Sequence, residues 1–194
     1  MLTVWNTLHR QQEPFESIES KTVGMYACGP TVYDRVHIGN LRAFLFEDTL
    51  RRTLEFLGYE VKHVMNITDV GHLVSDADEG EDKMEKGSRK MGKTAWEVAH
   101  ECEAWFLQDI ESLHLLRPHV LPRATEHIQE QIELIQKLEE KGLAYRTNDG
   151  MYFDTSRFPN YGKLSGQKLE EKHAGARVHV NEEKLQPTDF ALWK

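Results

Sequence analysis

The sequence predicts an α/β fold built on a parallel sheet, and three consecutive segments support this. Residues 22–27, TVGMYA, are rich in β-forming side chains and end just before a Gly-Pro turn. Between residues 40 and 57, leucine and phenylalanine recur at three- and four-residue intervals, which is typical of a helix. Residues 61–67, VKHVMNI, predict a second buried strand. A helix between two such strands indicates a parallel crossover, so residues 28–40 lie at the strand ends where ligands of parallel sheets bind.

The next part of the chain predicts a loop and then a helix. Residues 75–93 carry many charges and three glycines without apolar periodicity, which indicates a surface loop. Their spacing does not fit a calcium-binding loop. Thr94 and Glu97 then form a capping box, which predicts a helix to about Leu116.

Two glycines are expected to end helices, and a hairpin is expected after the second. Gly58 and Gly142 can each adopt the left-handed conformation that closes a helix. We expect Thr125 to cap the helix that ends at Gly142. One apolar stripe runs along that helix, formed by Ile128, Ile132, Ile135 and Leu138. Asn148-Asp149-Gly150 predicts the hairpin turn.

Composition is typical of a folded domain. The chain has 194 residues, of which 29% are charged and 39% hydrophobic, enough for one domain with or without an insertion. No run of about 18 apolar residues predicts a membrane span, and no secretory signal is recognisable at the start. The net charge of -8 argues against a general phosphate-backbone binder. The apolar ending at Phe190, Leu192 and Trp193 is unusual for a terminus and indicates a chain cut from a longer protein.

His37 and Gly39 stand at the start of the first predicted helix. The first amides of a helix and the positive end of its dipole attract anions, and a glycine lets a phosphate approach the backbone. His37 could donate a hydrogen bond to phosphate oxygens. The residues therefore suggest a nucleotide site, but a tight turn relieved by Gly39 explains the spacing equally well. Neither the three-glycine dinucleotide pattern nor the Walker lysine loop occurs.

The two cysteines, Cys28 and Cys102, are too few for a disulfide framework and favour a reducing compartment, the cytoplasm. A free cysteine is more often a small buried apolar residue than a ligand or nucleophile, so Cys28 alone is ambiguous. It has no partner at Cys-x-x-Cys spacing with which to build a closed zinc site. Cys102, beside Ala99 and Phe106 on a predicted helix, is expected in the core.

Residues 26–72, which begin YACGPTVYDRVHIGN and end VMNITDVGH, closely resemble the first half of the catalytic domain in the cysteinyl-tRNA synthetase family, of class I. HIGN stands where class I enzymes carry His-Ile-Gly-His. The similarity continues through DADEGEDKM, MYFDTSRFPNYGKLSGQ and DFALWK, so it covers nearly the whole chain.

This resemblance implies a Rossmann-like nucleotide-binding fold with a parallel sheet, plus a small α+β connective insertion. Residues 1–117 would form the first half of the catalytic core, and residues 118–194 the insertion. The implied enzyme activates L-cysteine with ATP and Mg2+ to cysteinyl-adenylate and transfers the cysteinyl group to tRNA(Cys). It is expected to be a cytoplasmic monomer, and this chain alone is expected to be inactive.

For ATP, the resemblance implies six contact residues, namely Pro30, Thr31, His37, Ile38, Gly39 and Asn40. His37 and Asn40 are the catalytic members, because His37 would stabilise the charge that develops on the phosphates. Asn40 departs from the second histidine of the signature. Since asparagine still offers a donor, contacts to adenine or ribose are expected to survive.

For the amino acid, the resemblance places Gly29, Thr31 and Thr68 in the substrate pocket. Asp69 follows Thr68 and has two open interpretations. It could hold an ammonium group, or it could be a structural carboxylate at a strand end.

Cys28 corresponds to one of four zinc ligands in this family, where Zn2+ holds the substrate thiolate and so selects cysteine over serine. The other ligands, a cysteine, a histidine and an acidic residue, correspond to positions beyond residue 194. The Lys-Met-Ser-Lys-Ser loop and the anticodon-binding region do so as well, and KMGK at residues 90–93 occurs too early to be that loop. We therefore expect this chain to bind zinc weakly or not at all.

Two alternatives remain open. One is the related ligase that joins cysteine to a glucosaminyl-inositol in mycothiol synthesis, which uses the same zinc-cysteine chemistry without tRNA. The other is a truncated paralogue that binds nucleotides without catalysis. The closeness of the match from Val61 to Asp82 favours the synthetase over the first alternative.

Overall fold

A computed structural model of the chain describes residues 2–70, 83–166 and 183–194. The described part contains helices and strands in mixed order. In chain order they are β1 (Thr3–Asn6), β2 (Gln11–Pro14), β3 (Thr22–Ala27), α1 (Ile38–Phe56), β4 (Glu60–Met65), α2 (Lys83–Met91), α3 (Ala95–Ser112), α4 (Ile128–Glu140), β5 (Ala144–Arg146), β6 (Met151–Phe153) and β7 (Phe190–Trp193). Short 3-10 helices cover Ala124–His127 and Thr155–Arg157. None of the helices in these ranges combines the length and the apolar character that a membrane crossing requires.

The chain divides into two compact units, Ser17–Ile128 and a second that joins Met1–Glu16 to Gln129–Lys194. The assignment of residues 118–194 as an insertion into a catalytic core stays a prediction.

The unit Ser17–Ile128 is built on a parallel sheet, as the sequence predicts. β3 pairs with β4 in a register that runs from Thr22 opposite Glu60 to Ala27 opposite Met65. A third extended segment lies on the other side of β4, because Met65 N donates to Val120 O at 3.0 Å and Ile67 N donates to Pro122 O at 2.9 Å. Bridges between Val64 and Val120 and between Ile67 and Arg123 are parallel. The predicted α/β fold with a parallel sheet is therefore confirmed.

One face of this sheet carries the core. Its buried side chains come from β3, β4, the segments that directly follow these two strands, and the three helices of the unit. They are Ala27, Val32, Phe44, Met65, Ile67, Met84, Val98, Ala99, Cys102, Phe106 and Ile110. Phe44 of α1 meets Phe106 of α3 edge to face, with ring centroids 5.2 Å apart. Cys102 lies in the core, as predicted, with 2% of its surface exposed.

The buried strand predicted at residues 61–67 is present as β4, which spans Glu60–Met65, but only one of its faces is buried. Along β4 and the residues after it, burial alternates: Val61, His63, Met65 and Ile67 are buried, and the residues between them are half-buried or exposed. This period of two means that one face of β4 packs on the core while the other remains accessible in the described part of the chain.

The predicted loop over residues 75–93 is wrong for its second half, because α2 spans Lys83–Met91. Met84 and Gly87 are the buried residues of α2. A Cβ at Gly87 would lie 2.5 Å from the Tyr33 carbonyl oxygen, so the glycine allows the helix to approach that backbone closely. The glycine and the charges that suggested a loop therefore belong to a helix packed through one narrow face. Residues 75–82 lie outside the described residues.

α3 begins as predicted, with Thr94 and Glu97 forming a complete capping box. It ends at Ser112 rather than near Leu116, because His114 adopts a left-handed φ of 56°. Leu115 N donates to Ile110 O at 2.9 Å and His114 N donates to Glu111 O at 2.9 Å. This is the Schellman pattern of helix closure.

The predicted cap at Thr125 is wrong. The backbone turns into a 3-10 helix at Ala124, with Arg123 at the N-cap position, and α4 follows directly at Ile128. Thr125 instead donates its amide and hydroxyl to Asp69, at 3.0 and 2.5 Å. A tertiary contact between residues distant in sequence has replaced the local cap.

The second unit contains antiparallel strands and α4. β1 pairs with β2, and β5, β6 and β7 form a sheet in that order. The predicted turn at residues 148–150 is confirmed, because β5 and β6 are antiparallel and Thr147 N donates to Gly150 O at 2.9 Å. The apolar residues near 190 have a structural role, since Phe190 stacks on Phe153 with centroids 5.2 Å apart. The predicted stripe of α4 is its half-buried side.

Candidate functional site

The candidate site is formed where β3 and β4 end. Cys28 directly follows β3 and is exposed, and Tyr26 is also exposed on the accessible face of the sheet. By the alternation along β4, Asn66 and Thr68 belong to the same face, and both are half-buried. A thiol, a carboxamide and a hydroxyl thus line the carboxyl ends of neighbouring parallel strands, where ligands of such sheets bind, while the Tyr26 phenol donates its hydrogen to Asn66 Oδ1.

Gly29 permits the closest contact between the two strand ends. A Cβ at this position would lie 1.8 Å from the Asn66 carbonyl oxygen and 2.8 Å from the Met65 side chain. A side chain therefore cannot be accommodated without moving the backbone. Gly29 N also donates to Asn66 Oδ1 at 3.1 Å, which fixes the turn after β3 against the end of β4.

Thr31 and Thr68 form a parallel bridge that extends this contact. Thr68 N donates to Pro30 O and Val32 N donates to Thr68 O, both at 3.0 Å. The backbone amide and carbonyl of Thr68 are therefore occupied, and its hydroxyl oxygen accepts from Asn66 Nδ2 at 3.1 Å. The structure thus brings together Gly29, Thr31 and Thr68, the three residues that the sequence assigns to a substrate pocket.

His37 is the N-cap residue of α1. Its Nδ1 accepts from Gly39 N at 3.1 Å, and its backbone N donates to Asn40 Oδ1 at 3.1 Å, which completes a capping box. Because Nδ1 acts as an acceptor, the neutral ring carries its hydrogen on Nε2. The ring belongs to an exposed residue, so this cap presents an Nε2–H donor at the start of the helix.

The same cap changes the expected role of Gly39. A Cβ on Gly39 would lie 2.9 Å from His37 Cε1, and its φ is not positive. The glycine therefore makes room for the folded imidazole instead of relieving a tight turn. The cap also engages helix amides, since Gly39 N is bonded to the ring and Asn40 N donates to His37 O at 3.0 Å. Within the described residues, Ile38 N–H is left without an acceptor.

Asn40 has a structural role that the sequence did not reveal. Its Oδ1 accepts from the His37 amide, and its Nδ2 donates to none of the described residues. The donor that the sequence analysis expected at this position is therefore present and accessible.

The loop that leads to His37 is anchored to two helices. Arg35 donates to the Asp109 carboxylate through Nη2 at 2.8 Å and Nε at 3.3 Å, and its guanidinium lies over the Trp105 ring. Asp34 pairs with Lys90 of α2. The hydrogen bond from Lys90 lowers the pKa of the Asp34 carboxyl below its ordinary value, so the pair stays charged. These contacts fix the residues immediately before the cap.

Asp69 has the geometry of a structural carboxylate. Its residue is 9% exposed, and its two oxygens accept from the amide and the hydroxyl of Thr125. It lines a cavity of about 210 Å3 together with Trp96 and His100. Arg123 and Glu103 also line this cavity. They are already paired with each other, because Arg123 donates to both oxygens of Glu103 at 2.7 and 2.8 Å.

The cysteines differ in their surroundings. Burial raises the pKa of the Cys102 thiol to about 11, so this thiol is unreactive at neutral pH. Cys28 is exposed, and its Sγ lies 3.8 Å from Gly29 O. Within residues 2–70, 83–166 and 183–194, no three His, Cys, Asp or Glu side chains are grouped so that they could hold a metal ion. In this part of the chain Cys28 can therefore supply one soft ligand but not a complete site.

Asn66 is the site residue that the sequence analysis missed. Its Oδ1 accepts from Gly29 N and from Tyr26 OH, and its Nδ2 donates to Thr68 Oγ1. The available signal was its position, since it stands at the end of a predicted strand two residues before Thr68 and therefore on the same face.

Comparison with known proteins identifies relatives over the whole chain. The family described as tRNA synthetases class I (C) catalytic domain matches residues 14–194. The chain is 55% identical over 193 residues to cysteine–tRNA ligase 1 of Burkholderia lata, an alignment that covers 100% of this chain and 41% of that protein. It is 49% identical to the cysteine–tRNA ligase of Treponema denticola, covering 99% of this chain and 39% of the relative. The chain thus spans about two fifths of the length of these curated relatives.

A solved structure supports the fold. The LeuRS agnB2 of Agrobacterium radiobacter K84, crystallised as a ternary complex with tRNA and LeuAMS, superposes with a TM-score of 0.52 at 24% identity. The match covers 69% of this chain and 16% of that one. At this identity the likeness concerns the fold, which is the Rossmann-like arrangement of class I synthetases.

Proposed function

The chain belongs to the class I (C) tRNA synthetase catalytic-domain family, and on that premise we propose that it takes part in the ATP-dependent attachment of cysteine to tRNA(Cys). The amino acid is proposed from the names of the relatives, which are cysteine–tRNA ligases. Because the chain spans about two fifths of their length, the activity is proposed for the product of the complete gene.

The observation that carries the proposal is the cap at His37. Its Nε2–H and the Ile38 amide are donors at the N-terminus of α1 that none of the described residues accepts, and the helix dipole attracts anions there. We assign this end to the phosphates of ATP, with Pro30, Thr31, Gly39 and Asn40 completing the binding segment. His37 would donate to the charge that builds up as pyrophosphate leaves, and Asn40 Nδ2 would donate to the adenine or ribose.

The strand edge beside this helix would hold the amino acid. We assign Gly29, Thr31 and Thr68 to the substrate pocket, because they lie at the joined ends of β3 and β4. The cysteine carboxylate would attack the α-phosphorus of ATP, which arrives with Mg2+, to form cysteinyl-adenylate and release pyrophosphate. A hydroxyl of tRNA(Cys) would then displace AMP from the cysteinyl carbonyl.

Cys28 is proposed as a zinc ligand because an exposed thiol at the strand end suits a soft metal. When bound, Zn2+ would hold the thiolate of the substrate and so favour cysteine over serine. Since the described residues provide no group of three ligands, we expect the 194-residue chain to retain substoichiometric zinc after dialysis against a mild chelator. The product of the complete gene is expected to hold zinc and to lose it on Cys28→Ser. Stoichiometric zinc in the 194-residue chain would contradict this assignment.

The test of the function is amino-acid-dependent exchange of labelled pyrophosphate into ATP by the complete gene product. We expect exchange with cysteine, at least about a hundredfold less with serine, and charging of tRNA(Cys). Exchange without any tRNA charging would favour the mycothiol-type ligase instead. ATP binding without exchange would favour a non-catalytic paralogue. We further propose that the protein is a cytoplasmic monomer. Sedimentation of the purified protein would check that it is monomeric.

A further inference from the structure

We propose that Asn66 is a positioning residue for the amino-acid substrate, because its carboxamide fixes the Gly29 turn and directs the Thr68 hydroxyl to donate to the ligand. This inference rests on the proposed function and names how the strand edge presents its side chains to cysteine.

The orientation of the Asn66 carboxamide follows from its partners. Gly29 N lies 3.1 Å from Oδ1, and a backbone N–H can only donate, so the oxygen must face Gly29. Tyr26 OH lies 2.9 Å from the same oxygen and donates to it. The amide nitrogen Nδ2 is therefore turned toward Thr68 Oγ1, at 3.1 Å.

This orientation determines what the Thr68 hydroxyl can do. Because Nδ2–H donates to Oγ1, the hydroxyl acts as an acceptor toward Asn66 and its own hydrogen points elsewhere. Within residues 2–70, 83–166 and 183–194, nothing accepts that hydrogen. The backbone of Thr68 is already bonded to residues 30 and 32, so the residue cannot rotate as a whole. A donor on the accessible face of the sheet results, suited to a carboxylate or carbonyl oxygen of the bound amino acid.

Three substitutions separate the two functions of Asn66. Asn66→Ala removes both. Asn66→Asp keeps an oxygen for Gly29 N and Tyr26 OH, but its second oxygen faces Thr68 and forces the hydroxyl to donate to residue 66. Tyr26→Phe is the matched control, because it removes one donor to Oδ1 and leaves the contact with Thr68 unchanged.

The kinetic test uses the complete gene product and cysteine-dependent pyrophosphate exchange. We expect Asn66→Asp to raise KM for cysteine about tenfold with kcat within about threefold, because a ground-state hydrogen bond is lost. Tyr26→Phe should leave KM within about twofold. Thr68→Val should raise KM as Asn66→Asp does, and the double variant should be no worse than Thr68→Val alone. Additive losses would mean that Asn66→Asp acts through its charge and would overturn the proposal.

The structural test does not depend on the reaction. With selective 15N-glycine labelling, amide exchange at Gly29 should accelerate at least about tenfold in Asn66→Ala and remain as in the parent in Asn66→Asp. Equal exchange in Asn66→Ala and the parent would overturn the role at the turn. If the parent protein shows no cysteine-dependent exchange at all, the proposed function fails, while this arm still decides whether Asn66 fixes the turn.

Discussion

Two polar clusters in this chain use their hydrogen bonds in opposite ways. Asp189, in the second unit, is 2% exposed, and its carboxylate accepts from the amide and hydroxyl of Thr155, from Tyr145 OH and from Gln186 N at 2.8 to 2.9 Å. His37 and Thr68, in the other unit, each hold a hydrogen that no described residue accepts. In the first cluster the acceptor positions of the carboxylate are filled, and we call this cluster saturated. In the second, two donors are unpaired among the described residues.

This difference distinguishes polar groups that stabilise the fold from polar groups that are available to a ligand. A buried carboxylate whose roughly four acceptor positions are filled has none left for a ligand. Removing that carboxylate destabilises the fold, because its buried donors lose their acceptor. Burial raises the pKa of Tyr145 to about 12, so its phenol remains a donor to Asp189 at any physiological pH. Spare donors on accessible residues contribute little to folding but are available to a substrate. The comparison therefore predicts that substitutions in the two clusters affect different measurements.

The largest effect is expected at Asp189. Asp189→Ala leaves buried donors unpaired and should lower the free energy of unfolding of its unit by about 3 to 4 kcal/mol. Amide exchange in β5 and β6 measures this. Glu139→Ala, an exposed acidic residue of α4 in the same unit, should change it by less than about 0.5 kcal/mol. Similar losses in both variants would contradict the structural role of Asp189.

At His37, the effect is expected on rate. His37→Ala should leave the fold intact and raise the barrier to adenylate formation by about 2 to 4 kcal/mol, because a donor to the developing phosphate charge is lost. This corresponds to roughly 30- to 1000-fold slower pyrophosphate exchange in the complete gene product.

His37→Asn is the control for the cap. Asparagine is a good N-cap residue, so this variant should recover the stability lost by alanine, about 1 kcal/mol, without recovering the rate. An unchanged exchange rate in His37→Ala would remove His37 from the proposed site.

Gly39→Ala should separate stability from rate more clearly. Alanine favours the helix by up to about 1 kcal/mol, but its Cβ would lie 2.9 Å from His37 Cε1 and so displace the ring. We expect unchanged or increased thermal stability together with about tenfold slower exchange. Gly24→Ala serves as the control, because a Cβ at Gly24 meets nothing within 4 Å. A normal rate in Gly39→Ala would show that the glycine does not position the imidazole.

The smallest effect is expected at Asp69. Its size decides whether Asp69 holds the substrate ammonium or is a structural carboxylate. Its oxygens are already taken by Thr125, so Asp69→Asn should cost about 1 kcal/mol of stability and leave KM for cysteine within about twofold. A KM increase of more than about tenfold would instead identify Asp69 as the group that holds the substrate ammonium.

Helix ends show how far the sequence predicts this fold. α1, α3 and α4 all close with the same pair of backbone hydrogen bonds, with Gly58, His114 and Gly142 in the left-handed conformation. The two glycines predicted their helix ends, because glycine adopts this conformation without strain. A histidine gives no such signal, so the sequence predicts an end to α3 about four residues too late.

The core strands and α1 were predictable because their apolar periodicity is local. α2 was missed since only a narrow stripe, including Met84 and Gly87, contacts the core. The contact of Thr125 with Asp69 spans 56 residues, and no local pattern encodes it.

The sequence predicts only those residues of the candidate site that belong to a recognisable motif. The resemblance singled out Cys28, His37 and Gly39, whereas the reasons for their arrangement emerged from the structure. The sequence does not predict that the imidazole folds over Gly39 or that the His37 amide donates to Asn40 Oδ1, because histidine is not a usual N-cap residue. Asn66 belongs to no motif and required the geometry of two strands.

The central claim is that the donors at the strand edge bind the substrate and that the saturated cluster does not. The most direct measurement is amide hydrogen exchange of the complete gene product with and without a non-hydrolysable cysteinyl-adenylate analogue. The account predicts that peptides covering residues 26–40 and 64–69 become protected, while those covering 143–155 and 186–193 stay unchanged. Protection confined to residues 143–155 and 186–193, with none at the strand edge, would contradict it.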